Sequence, residues 1–172
     1  MLKNIKQQLP KRYLYISVTE QRLQLIDNGK TPTVLFDVKI ATAKNGVGEQ
    51  FGSECTPRGW HKIRAKIGAG CPENTVFVGR RPTGEHWSEQ LQKEHPGKDW
   101  ILTRILWLSG LQVGFNRLDQ QDTMRRYIYI HGCSDNNPMG IPSSHGCIRM
   151  RNNEIVTLFN LVETGIPVLI DE

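Results

Sequence analysis

IHGCSDNNPMGIPSSHGCIRM, residues 130–150, contains the triplet His-Gly-Cys twice, at residues 131–133 and 145–147. The residues between the triplets are rich in Gly, Pro, Ser and Asn, which is typical of a loop. Histidine and cysteine bind zinc in proteins, and they also form base and nucleophile pairs in enzymes. Fold and function therefore depend on which kind of site this segment builds.

The sequence before this segment predicts a mostly β domain. Aromatic, β-branched or alternating apolar runs indicate strands at 13–18, 23–26, 34–43, 75–80, 101–111 and 126–132. A turn followed by a strand is expected in TPRGWHKIRAKIG, and a last strand in IPVLI. Residues 81–99 are polar and are expected to form a loop or lid, with one or two helical turns at 86–94.

One convincing helix is predicted, after the second triplet. Apolar residues recur at helical spacing, namely Ile155, Leu158, Phe159 and Val162. Asn152 or Asn153 can cap this helix, and Gly165 can end it. Helices do not alternate with the strands, so a parallel α/β architecture is not expected.

The composition is that of one soluble globular domain spanning residues 1–172. Hydrophobic residues make up 38% and charged residues 23%, which is ordinary for such a domain. The net charge of +5 is mild, and no basic run interleaved with aromatic residues predicts nucleic-acid binding. No run approaches the roughly 18 apolar residues of a membrane span, so no membrane partner is expected.

The N-terminal stretch MLKNIKQQLPKRYLYISV lacks the apolar core of a secretory signal. If Met1 is the native start, we expect a cytoplasmic protein, and if the chain is trimmed, a periplasmic one. Four cysteines occur, at positions 55, 71, 133 and 147. In a chain of this size without an export signal, catalysis, metal binding or plain burial is expected before a disulfide frame.

The first interpretation of the two triplets is a metal site. His131, Cys133, His145 and Cys147 are all competent zinc ligands. Residues two apart in an extended strand share a face, so the geometry permits such a site. Structural zinc sites usually separate paired ligands by two to four residues, however, which makes this the weaker interpretation. A plainer alternative is polar loop histidines beside small buried cysteines.

The second interpretation makes Cys147 a nucleophile and His131 its base. A thiol of ordinary pKa needs a neighbouring base or dipole to become reactive. Cys147 is expected just before the helical stretch, where backbone amides can face a developing oxyanion. Gly146 leaves room for a substrate carbonyl, and Arg149 can either grip a substrate carboxylate or lock the loop.

SHGCIRM, together with the upstream His-Gly pair, resembles the signature of bacterial L,D-transpeptidase catalytic domains, the YkuD-like enzymes. GSECTPRGWHKIRAKIG, TRILWLSGL and RYIYIHG are similar to other segments of that family, so the resemblance covers nearly the whole chain. It implies a mainly β, L,D-transpeptidase-type sandwich or barrel with a helix following the catalytic cysteine loop. It also implies a cysteine nucleophile without a metal or cofactor.

Site residues follow from motif position. The resemblance implies that Cys147 is the nucleophile, that His131 is the base, and that the carbonyl of Gly132 orients the other nitrogen of His131. It further implies an oxyanion hole of backbone amides around His145, Gly146 and Cys147, site-lining roles for Ser144 and His145, and a loop-holding or substrate-holding role for Arg149.

One position departs from the family pattern. Threonine commonly follows the His-Gly pair, whereas this chain has Cys133. Oxidation to a Cys133–Cys147 disulfide would switch the enzyme off. The alternative is that Cys133 merely replaces threonine with another small side chain and has no role in the reaction.

The resemblance implies murein peptides as substrates. Without an export signal, the expected activity is that of an L,D-carboxypeptidase, which removes the terminal D-alanine of tetrapeptides through a thioester. An L,D-transpeptidase forming 3-3 crosslinks is the alternative within the family. A catalytically inactive peptidoglycan-binding module and a zinc-binding structural domain remain open. His61 can line the cleft or be a satisfied core histidine.

Overall fold

The computed structural model of the protein describes residues 9–172. Residues 1–8, which include part of the stretch examined for an export signal, lie outside the described residues. Ten strands are described: β1 (Arg12–Ser17), β2 (Arg22–Asp27), β3 (Thr33–Lys39), β4 (Gly59–Ile67), β5 (Thr75–Val78), β6 (Arg81–His86), β7 (Ile101–Gly110), β8 (Tyr129–Cys133), β9 (Ile148–Arg151) and β10 (Pro167–Asp171). The helices are α1 (Glu89–Glu94), α2 (Asn152–Leu161) and a 3-10 turn, Asp119–Gln121.

The described strands form one curled sheet that branches at β7. Its main path runs β3-β2-β1-β10-β4-β7-β5-β6, and β8 leaves this path by pairing with β7 on one side and β9 on the other. The β1–β10 and β8–β9 pairs are parallel, whereas the remaining pairs are antiparallel. The prediction of a mainly β fold with one convincing helix after the cysteine loop is confirmed.

The principal core lies between the sheet and α2. Ile155, Leu158 and Phe159 on α2 are buried against strand residues such as Leu106 and Ile130. Each fully buried aliphatic or aromatic side chain contributes about 1.5–3 kcal/mol of transfer free energy. None of the helices described has the length and hydrophobicity that a bilayer span requires.

A bulge in β7 lies beside the step from His131 to Gly132 in β8. Leu102 pairs with Gly132 but Ile105 pairs with His131, so two residues of β7 are left without a partner in β8. One of them, Thr103, is buried with φ +73°, a conformation that costs a non-glycine residue about 1–3 kcal/mol.

The Thr103 hydroxyl connects this bulge to two other parts of the fold. It accepts a hydrogen bond from the Asn74 backbone N–H at 3.0 Å and donates to Asn152 Oδ1 at 2.6 Å. The side-chain nitrogen of Asn152 in turn donates to Asn74 Oδ1 at 2.9 Å. This closed set of bonds holds the strained residue and places the start of α2 against β7.

A strand that the sequence did not indicate separates Cys147 from α2. Ile148 and Met150 are fully buried and alternate with two arginines, so residues 148–151 form β9, a strand between Cys147 and α2. The N-cap is Arg151, whose backbone N–H donates to the Glu154 carboxylate at 3.4 Å. The helix also ends at Leu161, short of the predicted stop.

Other boundaries also differ from the prediction. Residues 81–99 are not a loop throughout, because Arg81–His86 form the edge strand β6, where Pro82 is tolerated. The predicted helical turns at 86–94 contain α1. The predicted strand at 126–132 begins only at Tyr129, because Tyr127 lies in a turn with φ +56°. The strand predicted at 34–43 ends at Lys39.

Candidate active site

The parallel pair β8–β9 carries the predicted base and lies next to the predicted nucleophile. His131 pairs with Arg149, which follows Cys147 by two residues. Residues two apart in a strand point to the same face, and paired residues of neighbouring strands share a face. His131 and Arg149 therefore face the same side, and Cys147 lies one residue before β9 with its sulfur beside the Tyr129 amide of β8.

The surroundings of His131, the predicted base, favour the neutral imidazole. Its Nδ1 lies 2.7 Å from the Gly132 carbonyl oxygen, which can only accept, so Nδ1 carries the proton. Its Nε2 is buried and has no hydrogen-bond partner among the described residues. Burial lowers the pKa of His131, and the nearby Arg149 cation also lowers it, while Asp99 acts to raise it. The lone pair on Nε2 is therefore free to accept a proton.

Cys147 is half-buried and holds its proton. Burial raises the pKa of the thiol to about 12, although the Tyr129 backbone N–H, 3.3 Å from Sγ, acts to lower it. The thiol donates to the Tyr127 carbonyl oxygen at 3.4 Å. No hydrogen bond is recorded between this sulfur and His131 Nε2. Catalytic contacts of this kind often form only when substrate is bound.

The Ser144 hydroxyl braces the turn before the nucleophile. It donates to the Cys147 carbonyl oxygen at 2.5 Å and accepts from the Gly146 amide at 3.2 Å. The Gly146 amide is therefore not available as a donor to the predicted oxyanion hole. The amides of His145 and Cys147 have no recorded acceptor within residues 9–172 and remain its candidate donors. Ser144 itself is buried and faces the turn rather than lining the site.

Gly146 occupies a position that only glycine suits. Its φ is +132°, and an added Cβ would lie 3.2 Å from Ile128 Cδ1 and 3.4 Å from the Cys55 carbonyl oxygen. Its own carbonyl accepts from the Thr56 hydroxyl at 2.9 Å. The turn is thus fixed from both sides.

Arg149 locks the loop rather than reaching into open space. Its side chain is almost fully buried, donating to Asp99 Oδ1 at 2.5 Å and to the Ser143 carbonyl at 3.1 Å. A weaker contact, 3.5 Å long, reaches Asn137. Of the two roles expected for Arg149, these contacts support holding the loop.

Asp99 belongs to the site although no sequence motif indicates it. Its carboxylate binds Arg149 and lies 3.4 Å from Nδ1 of the exposed His145. Burial acts to raise the pKa of Asp99, but the interactions with His131 and Arg149 outweigh it and the pKa is lowered. Asp99 lies about 50 positions from its partners in sequence, at the end of the polar stretch before β7, and no local pattern marks it.

Arg126 was also missed. One of its nitrogens donates to the Cys55 carbonyl at 2.6 Å and to Ser53 Oγ at 3.2 Å, while the other donates to the carbonyls of Gly48 and Glu49 at 3.1 Å. These bonds hold the glycine-rich segment 46–55 behind the Gly146 turn. That segment therefore supports the nucleophile loop.

The metal interpretation has no support from the described residues. Within residues 9–172, no group of three or more His, Cys, Asp or Glu side chains is placed to hold a metal ion. His131 is bonded to the Gly132 carbonyl, and His145 is exposed beside Asp99. The four residues of the two triplets do not converge on one point.

Of the two alternatives for Cys133, the geometry supports a small-residue replacement rather than a disulfide with Cys147. Cys133 lies opposite Arg151, whereas Cys147 contacts Tyr129, four residues before Cys133. Four strand residues span about 13 Å, and a disulfide requires its Cα atoms to lie within about 7 Å. Cys133 is fully buried with its pKa raised to about 11 by burial, and its thiol donates to the Met150 carbonyl.

His61 proves to be a satisfied core histidine. It is fully buried, with Nδ1 2.9 Å from the Gly59 carbonyl and Nε2 3.0 Å from the Thr123 hydroxyl. It does not line the site.

The chain matches a known family over nearly its whole length. The family model for the L,D-transpeptidase catalytic domain (YkuD) matches residues 11–170. No curated protein matches the chain.

Solved structures share the fold. An Enterococcus faecium L,D-transpeptidase, solved as a cysteine-to-serine mutant, has a TM-score of 0.56 and 17% identity, over 94% of this chain and 50% of that one. The L,D-transpeptidase from Mycobacterium smegmatis has a TM-score of 0.54 and 16% identity, over 94% of this chain and 59% of that one. L,D-transpeptidase 3 from Mycobacterium tuberculosis, solved with a faropenem-derived adduct, has a TM-score of 0.55 and 14% identity, over 95% of this chain and 61% of that one. The chain thus spans about half to three fifths of the length of these relatives. The expected fold type is confirmed.

Proposed function

Because this chain belongs to the L,D-transpeptidase catalytic-domain family, we propose that it is a cysteine-dependent L,D-carboxypeptidase acting on murein tetrapeptides. The observation that carries the proposal is the pairing of β8 with β9. Strand β8 carries His131, which has an unpartnered imidazole nitrogen, and the Tyr129 amide of the same strand contacts the Cys147 sulfur just before β9. The two amides that flank Gly146 in the turn supply donors for an oxyanion.

The acylation step uses these groups in order. Cys147 Sγ attacks the carbonyl carbon of the third stem residue as its proton passes to His131 Nε2, and a C–S bond forms. The oxyanion faces the amides of His145 and Cys147. His131 then returns the proton to the D-alanine nitrogen as the C–N bond breaks. The products are a thioester on Cys147 and free D-alanine.

Deacylation repeats the same proton route with water. His131 Nε2 removes a proton from water as its oxygen attacks the thioester carbonyl, and the sulfur leaves as a thiol once His131 returns the proton. The tripeptide is released with a new carboxylate. Asp99 stabilises the imidazolium that His131 carries in each step, because its charge acts to raise the pKa of His131.

The resting charges are consistent with general-base activation. The thiol pKa is raised and the imidazole pKa is lowered, so a neutral pair is favoured over a preformed thiolate and imidazolium. Rotation of the sulfur away from the Tyr127 carbonyl, toward His131, is therefore part of the proposed attack.

Crosslinking is the second candidate, because the solved relatives are named L,D-transpeptidases. In that reaction an amine from another stem replaces water and forms a 3-3 crosslink. A cytoplasmic location, where hydrolysis of soluble muropeptides would be the available reaction, remains a prediction. Recovery of the protein from the periplasmic fraction of intact cells would contradict it.

Mass spectrometry after incubation with soluble disaccharide tetrapeptide tests the proposal. We expect the loss of one D-alanine with the wild type and none with Cys147→Ala. The matched control, Cys71→Ala, removes another half-buried thiol and retains activity. A dimeric product would show that the protein catalyses transpeptidation rather than hydrolysis. Unchanged substrate in all samples would contradict both reactions.

A further inference from the structure

Arg80 lies in the tight turn that joins β5 to β6. The turn consists of Gly79 and Arg80, with φ of +55° and +65°, between the last residue of β5 and the first of β6. Two successive positive φ values are typical of a type I′ hairpin turn. An arginine in this conformation is uncommon, and its side chain projects from a fixed point of the sheet.

Three aromatic side chains hold the guanidinium of Arg80. Its Cζ lies 4.8 Å from the ring centre of Trp107 and 4.9 Å from that of Tyr127. Its Nη1 donates to the Tyr129 hydroxyl at 3.1 Å. Stacking on two rings and one hydrogen bond fix the orientation of the planar cation.

The same two tyrosines contact the sulfur of Cys147. The carbonyl of Tyr127 accepts from the thiol, and the amide of Tyr129 donates to it. The side chains of Tyr127 and Tyr129 contact Arg80, and their backbone groups contact the sulfur of Cys147. Each tyrosine therefore bridges the guanidinium and the thiol.

The charge of Arg80 has no acidic partner among residues 9–172, because none of the ion pairs recorded there includes it. Arg149, by contrast, is paired with Asp99. A guanidinium has five N–H donors, and Arg80 uses one of them. A half-buried, oriented and unpaired guanidinium is pre-organised for a carboxylate, which it can bind through two parallel hydrogen bonds.

We propose that Arg80 is a specificity-determining residue that binds a substrate carboxylate beside the scissile bond. This inference rests on the proposed function. A tetrapeptide with diaminopimelate at its third position carries two such groups, the side-chain carboxylate of that residue and the terminal carboxylate of D-alanine. Both lie within a short reach of the carbonyl that Cys147 attacks, and one bidentate contact with either orients the stem.

Kinetics with Arg80→Gln test the proposal, and Arg81→Gln is the matched control. Arg81 is the next residue, is exposed and has no recorded partner, so its replacement removes the same charge from the same hairpin. Arginine and glutamine are both non-glycine residues, so neither replacement changes the backbone strain of the turn. Three tetrapeptides are compared: the unmodified one, one amidated at the diaminopimelate side chain, and one amidated at the terminal carboxyl.

We expect Arg80→Gln to raise KM for the unmodified peptide about tenfold or more with little change in kcat, as loss of a charge-assisted contact predicts. Arg81→Gln should leave both constants unchanged. Amidation of the recognised carboxylate should cause the same loss in the wild type and no further loss in Arg80→Gln. The amide that behaves in this way identifies which carboxylate Arg80 binds.

Other outcomes overturn the inference. If Arg80→Gln impairs all three peptides equally, the residue only positions the two tyrosines. If Arg80→Gln matches the wild type on every peptide while the wild type releases D-alanine, the proposed function stands and the role of Arg80 does not. If the wild type releases nothing from any peptide, both proposals fall.

Discussion

Asp99 is the residue that couples the charges of the site. Its carboxylate contacts Arg149 and His145, and its charge acts to raise the pKa of His131 against the effect of burial. Arg149 opposes it by lowering the same pKa. Asp99 therefore holds the loop through Arg149 and acts on the pKa of His131, the proposed base.

Replacing Asp99 with asparagine tests this electrostatic role. In the proposed mechanism neutral His131 is the active form, so we expect activity to fall as the pH drops through its pKa. Removing the negative charge lowers that pKa further, and the acid limb of kcat/KM should therefore move to lower pH. The asparagine oxygen can still accept from Arg149, so the loop contact is retained. The pH profile of kcat/KM with soluble tetrapeptide is the measurement.

Asp135→Asn is the control for this prediction. Asp135 is an exposed aspartate on the loop after β8, and its charge has no recorded effect on the pKa of His131. Its replacement should leave the acid limb in place. An acid limb that stays fixed or moves to higher pH in Asp99→Asn would contradict the electrostatic role.

The sequence indicated the reacting residues but not their supports. Cys147, His131 and the Gly132 carbonyl were predictable because they lie in one short motif, although their catalytic roles stay predictions. Asp99 and Arg126 reach the site from other strands and loops, so only tertiary structure reveals them. The Gly146 amide was expected in the oxyanion hole, but it donates its hydrogen bond to the Ser144 hydroxyl, two residues earlier.

Strand β8 depends on a glycine next to the base. A Cβ added at Gly132 would clash with Asn152 Oδ1 and would lie 2.7 Å from the Leu102 carbonyl oxygen. Both neighbours are fixed, because Asn152 belongs to the hydrogen-bonded set around Thr103 and Leu102 is in β7. The close approach of β7, β8 and α2 thus excludes any side chain at this position.

Gly132→Ala should therefore destabilise the fold by about 1–3 kcal/mol, the usual cost of overpacking. The free energy of unfolding, measured in urea at neutral pH, is the test. Gly29→Ala is the matched control, because its Cβ would meet one side-chain oxygen at an ordinary 3.6 Å. That change should alter stability by about 0.5 kcal/mol or less. Equal effects of the two substitutions would refute the steric explanation.

Element prediction succeeded where hydrophobic periodicity was long and failed where it was short. The ten residues of β7 and the apolar face of α2 were evident from their patterns. Strand β9 was missed because four residues are too few to show alternation. Strand β6 was missed because its sequence, RPTGEH, contains Pro and Gly, and its place at the sheet edge depends on pairing with β5.

The curled sheet is continuous across the described chain. Strand β10 joins β1 to β4, and β7 connects that part of the sheet to β8 and β9, which flank the candidate site. His61 on β4 lies within this framework and contacts the Thr123 hydroxyl in the segment leading to β8. Global unfolding therefore exposes this buried histidine to water.

His61 makes the stability of the whole molecule sensitive to acid. Burial lowers its pKa from 6.5 to about 4, with Arg126 lowering it further and the Gly59 carbonyl and Glu49 opposing. Because the folded pKa is depressed, the unfolded chain binds the proton first as the pH falls below 6.5. The stability from this residue is thus present at pH 7 and is lost as the pH falls toward 4. Between pH 7 and pH 5 the loss should be about 2 kcal/mol.

Urea unfolding at pH 7 and pH 5 measures this loss, and His61→Gln should reduce it by about 2 kcal/mol because glutamine cannot be protonated in this range. The glutamine amide can still bond to Gly59 and Thr123, so the comparison concerns charge rather than packing. The exposed His86 on β6 supplies the control, since His86→Gln should leave the pH dependence unchanged. An unchanged pH dependence in His61→Gln would mean that acid acts on the fold through other groups, and the buried histidine of β4 would then have no part in it.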